Sequence, residues 1–155
     1  MTRKTTIERA FSSHDGFERD GSGAYVATTT PFEGIARTDD ERVEVTVRAP
    51  MLSAVVEDDS VADVVETGWF ETLELRLEDA HTVVSGEEAT PPDVERDGDE
   101  VVLSLSFSGY PDEAADDAMA VVDYVEGTWV QGIIPGYEYG EPAAGLLARA
   151  RQNYD

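Results

Sequence analysis

The run Asp93-Val94-Glu95-Arg96-Asp97-Gly98 puts carboxylates at the first, third and fifth positions and glycine at the sixth, the opening spacing of a calcium-binding loop. Such a loop closes its coordination sphere with a bidentate glutamate at position twelve. Here that position is Ser104, and Glu100 stands at position eight where an aliphatic residue is usual. Strand-like sequence flanks the run, so it reads as a hairpin whose Asp-Gly turn lies among surface acids. Histidine chemistry has only His14 and His81, too far apart in sequence for a helical ligand pair. Ser22, between Gly21 and Gly23, is turn chemistry, since no Gly-x-Ser-x-Gly elbow occurs. The single lysine, Lys4, belongs to no glycine-rich phosphate loop, and the absence of cysteine removes thiolate metal sites and cysteine nucleophiles. With 34 acidic residues, carboxylate pairs arise by chance and carry no signal. No catalytic, cofactor-binding or metal-binding residue is assigned.

One segment differs from the rest in composition. Residues 124–140 hold three of the six tyrosines, one of the two tryptophans, four glycines and only two charges. Large aromatics beside glycines serve interfaces and ligand clefts, and they equally serve a helix end packed on a sheet. Pro135-Gly136 should end the preceding helix, leaving Tyr137 and Tyr139 on a loop more open to solvent than Trp129. Ile134, Tyr137 and Tyr139 are therefore the expected contacts, either to another protein or across a two-fold homodimer.

Several elements must position these residues. Thr5 and Glu8 form a capping box for a first helix that ends near Gly16. Residues 24–30, 32–37 and 42–49 read as strands, the last with Val43, Val45 and Val47 on one face, and the turn at 38–41 joins the second and third. Val61, Val64 and Val65 fall at helical spacing, with Ser60 as cap and Gly68 as stop. Residues 69–78 alternate strictly and read as a strand with Leu73, Leu75 and Leu77 inward, although Phe70, Leu73 and Leu77 could also line a helix. The polar run 85–93, with Pro91-Pro92, is the expected mobile acidic loop. Residues 94–96 and 101–108 form a second hairpin. The longest helix begins at Pro111-Asp112 and runs to about Gln131, with Ala115, Ala118, Met119, Val122, Val125 and Trp129 as its apolar stripe and Asp116, Asp117 and Asp123 outside it. A short C-terminal helix (141–155) should bury Leu146, Leu147 and Ala150.

The charge narrows the functions. Eleven basic residues face 34 acidic ones, for a net charge of −23, and ten of the eleven are arginine. Acids interleaved with 18 valines describe a folded surface rather than a disordered acidic chain. At molar salt the Debye length is ~3 Å and repulsion among such carboxylates is screened. The composition fits a halophilic cytoplasmic protein. A basic stripe for nucleic acid is missing, anionic membranes are disfavoured, and no apolar run is long enough to span a bilayer.

The stretches 68–80 and 121–139 resemble a small family of acidic haloarchaeal proteins of unknown function. The likeness runs from the first helix to Leu146-Leu147-Ala148-Arg149-Ala150-Arg151. It implies a haloarchaeal cytoplasmic protein and no activity or site residue. The order helix, three strands, helix, strands, helix is also similar to that of type III secretion chaperones, a likeness of fold alone. The expected fold is α+β, one domain over 1–155, with an antiparallel sheet of five or six strands and the long C-terminal helix across one face. The expected function is a non-catalytic protein-interaction module that uses no cofactor. The alternative is a small carboxylate-based enzyme, with or without a divalent cation.

Overall fold

The computed structural model describes residues 2–39, 41–57, 60–86 and 88–154, with side chains as far as residue 150. Asp40 of the expected turn, Glu87 of the expected loop and Asp155 of the C-terminal helix lie outside the described residues. The strands are β1 (Phe17–Arg19), β2 (Tyr25–Ala27), β3 (Glu33–Thr38), β4 (Val43–Pro50), β5 (Asp93–Asp97) and β6 (Glu100–Phe107). The helices are α1 (Arg3–Ser13), α2 (Leu52–Val55), α3 (Asp63–Leu77), α4 (Ala114–Gln131) and α5 (Ala143–Tyr154). Single 3-10 turns at Ala80–Val83 and Pro111–Glu113 follow α3 and precede α4.

Alternation of valine and polar residues builds the sheet. Its order is β1-β2-β3-β4-β6-β5, antiparallel throughout. In the central pair Val43, Val45, Val47 and Ala49 stand opposite Phe107, Leu105, Leu103 and Val101, and all eight are buried. Glu44, Thr46 and Arg48 point the other way, which is the alternation expected of a sheet with one covered face. That cover is α4, whose Ala118, Val122, Val125 and Trp129 are buried. Trp129 is anchored by its indole N–H, which donates to Pro50 O at 2.9 Å, and it meets Phe32 and Trp69 edge-on at 5.3 and 6.5 Å. At Gly34 of β3 an added Cβ would stand 3.1 Å from Val122 Cγ2, so the missing side chain sets how closely helix and sheet approach.

The expected strand at 69–78 is instead part of a helix. Trp69, Leu73 and Leu77, four residues apart, are buried on one side of α3, whereas Leu75 is 64% exposed. Alternating leucines satisfy a strand template, but the spacing of four satisfies a helix and lets Trp69 reach Trp129. Gly68 does not stop this helix. Glycine costs about 1 kcal/mol against alanine, less than the burial of one such leucine stabilises. Ser60 is not its cap either; Ala62 stands there without a side-chain bond, and Asp63 and Glu66 in the first turn complement the dipole.

Smaller departures have local causes. The cap of α1 is Thr2, whose Oγ1 accepts from Thr5 N at 3.2 Å, and not the Thr5–Glu8 box. The short β1 has no counterpart among the expected strands, and β2 covers only three of the seven residues expected to be extended. The long helix does end at Gln131, but Gly132 ends it, its amide donating to Thr128 O and Trp129 O. Pro135-Gly136 forms a separate turn, with Gly136 at φ 105°. Asp117, expected outside the apolar stripe, is buried beside Ala114, Ala118 and Val121. Of the three residues expected under α5, Leu146 is buried and Leu147 and Ala150 are half-buried. Among the described residues no helix is long and apolar enough to cross a membrane.

Candidate functional site

Where α4 ends, the chain turns back along α2 and is tied there by main-chain bonds. Glu57 N donates to Glu138 O at 2.9 Å, Gly140 N donates to Val55 O at 2.8 Å, and Val56 and Tyr139 form an isolated β-bridge. The Tyr139 hydroxyl donates to Ile134 O and closes the loop on itself. The Tyr137 ring meets the Tyr139 ring edge-on, with centroids 6.4 Å apart. Burial, followed by the neighbouring Tyr137, pushes the Tyr139 phenol above its ordinary pKa. Ile134, Tyr137 and Tyr139 are thus gathered in one loop, each half-buried.

Ile134 also lines a groove of about 470 Å³ between α3 and the end of α4. Trp69, Thr72 and Arg76 of α3 form one wall with Val64, which is 79% exposed, and Gln131 stands opposite. The Trp69 indole N–H is buried without a hydrogen-bond partner. Apolar walls, one cation and no acid among the lining residues make this an apolar recess on a chain of net charge −23. Sequence periodicity misses it because a strand over 69–78 separates Trp69 from Thr72 and Arg76.

The residues with chemical spacing are elsewhere and apart. Residues 93–98 are β5 and its turn, with Gly98 at φ 60°; Asp97 takes a 3.2 Å ion pair from Arg48, which also reaches Glu100 at 3.5 Å. His14 caps α1, its Nδ1 accepting from Gly16 N and its Nε2 lying 3.2 Å from Asp116. His81 lies in the 3-10 turn after α3, its Nδ1 buried without a partner. Ser22 is held in its turn by Asp20, which accepts from both its N–H and its hydroxyl. Among the described residues no three His, Cys, Asp or Glu side chains are arranged to hold a metal ion.

Two buried acids carry no signal in the sequence. Glu66 Oε1 accepts from Ser53 N at 3.0 Å and its Oε2 lies 3.5 Å from Arg96. Burial opposes its charge, but the Ser53 bonds and the Arg96 guanidinium prevail and hold its carboxyl below the usual range. Asp117 accepts from Ser85 N at 3.0 Å, and Ser85 Oγ lies between Asp117 and Glu113. Burial outweighs the Ser85 bonds there and raises the Asp117 pKa. Both acids fasten elements together: Glu66 joins α3 to α2 and β5, and Asp117 joins α4 to the segment after the first 3-10 turn.

The family model of DUF5813, a family of unknown function, matches residues 12–149, from the end of α1 well into α5. No curated protein matches the chain.

Proposed function

Since the chain belongs to DUF5813, a family of unknown function, we propose from the site alone that it is a halophilic cytoplasmic protein-interaction module. It docks through the loop of Ile134, Tyr137 and Tyr139 and the adjoining groove. One observation carries the reading: aromatic and aliphatic surface around Ile134 and Val64 stays partly open on a chain of net charge −23. A partner approaching elsewhere meets carboxylates whose desolvation is costly, and here it meets groups that cost little to dehydrate. For the carboxylate-enzyme alternative, no three acids among the described residues are arranged to hold a divalent cation.

The test replaces Tyr137 and Tyr139 together by Ser in the full chain. In molar KCl, mass and partner recovery are then compared with the parent protein. The reading expects the folded double variant to lose the partner that the parent recovers. Unchanged mass and unchanged recovery, with the fold intact, would end it.

A further inference from the structure

The outward side of α4 is a ridge notched at Gly127. A Cβ built on Gly127 meets no atom within 4 Å, and the same holds for Gly68 on α3. Neither adopts the left-handed backbone that favours glycine. Glycine is a poorer helix former than alanine, so packing within the chain supplies no reason for either. Close approach from outside does supply one.

Two grooves flank the notch and share Gly127 and Gln131. One, of about 600 Å³, is lined by Arg76 and Asp123; the other, of about 380 Å³, by Arg149 and Glu126. Among the described residues no ion pair engages either arginine. The acids stand on α4 and the arginines on the helices to either side of it. A second α4 laid across the notch therefore carries its own acids towards the arginines of the first, and the relation is reciprocal.

We propose that this face takes a second copy of the chain in an isologous dimer. In it α4 crosses α4 at Gly127, and Asp123 and Glu126 of each copy pair with Arg76 and Arg149 of the other. The inference rests on the reading of the chain as an interaction module and adds a second contact face, apart from the loop of Ile134, Tyr137 and Tyr139. It also fixes the salt dependence. Two copies of net charge −23 repel in dilute buffer and associate where salt screens that repulsion, whereas a basic partner would be released by salt.

Sedimentation equilibrium of the full chain tests it. The parent should show a concentration-dependent doubling of mass in molar KCl and much less in dilute buffer. Gly127→Leu fills the notch from an open position and is the better helix former, so the fold should melt no lower than the parent's while the dimer Kd rises about tenfold or more. Glu126→Arg and Arg149→Glu should each weaken self-association, and a mixture of the two should recover a dimer containing one copy of each. A parent that stays monomeric at every concentration in molar KCl overturns the inference. So does a dimer that Gly127→Leu and both charge reversals leave unchanged. Neither result depends on Tyr137 and Tyr139, so failure here is distinguishable from failure of the module reading.

Discussion

At the start of α4 one hydroxyl proton serves two carboxylates. Ser85 Oγ lies 2.7 Å from Glu113 Oε2 and 2.9 Å from Asp117 Oδ2, and it can donate to only one of them. Burial, with the nearby charges of Glu113 and Asp116, pushes the Asp117 carboxyl above its ordinary range. A raised pKa means that the folded state binds this proton more tightly than the unfolded state does. Its contribution to stability is full below the ordinary aspartate pKa and is lost as pH rises through the raised value. In the variant Asp117→Asn the side-chain amide can accept from Ser85 N and donate to Ser85 Oγ, leaving that hydroxyl for Glu113. The substitution should therefore remove this part of the pH dependence and be at least as stable as the parent at neutral pH. Denaturant midpoints of both proteins across the acidic range check this; parallel curves would mean that Asp117 ionises without cost.

Among the elements, α3 separates two readings of the same leucines. In a strand Leu73, Leu75 and Leu77 would be equivalent, whereas in α3 Leu73 and Leu77 are buried and Leu75 is exposed. Leu73→Ala should cost about 2–5 kcal/mol through lost transfer energy and the cavity left beside Trp69. Leu75→Ala should stay within about 0.5 kcal/mol, as expected of an exposed helix position. Chemical denaturation of the two variants reads the difference directly. Equal losses would mean that both side chains face the core.

For the whole molecule the governing quantity is the charge of −23. The halophilic proposal expects the melting temperature to climb between dilute buffer and molar KCl, because screening shortens the reach of carboxylate repulsion to ~3 Å. Each kcal/mol of relieved repulsion lifts the midpoint of a chain this size by about 2–4 °C. Scanning calorimetry at both salt concentrations measures the rise, and a salt-independent melt would remove the proposal.

Local physics was legible in the sequence wherever one template fitted. Alternating valines at 43–47 specified a half-covered strand, the Asp97-Gly98 turn specified a hairpin, and the apolar stripe from Ala115 to Trp129 specified α4 to its last residue. Those signals are set by nearest neighbours and survive without knowledge of the rest of the chain. At 69–78 two periods fitted the same residues, and only the position of Trp129 decided which face of the segment would be buried. The burial of Asp117 likewise required Ser85, 32 residues away in sequence, to supply its donors. The sequence also singled out Ile134, Tyr137 and Tyr139, since low charge and aromatic content are compositional. The groove beside them joins α3 to the end of α4, and the notch between arginines joins α3, α4 and α5. Such surfaces exist only after helices distant in sequence have packed on one sheet, so only the tertiary structure could place Arg76, Gly127 and Arg149 around one site.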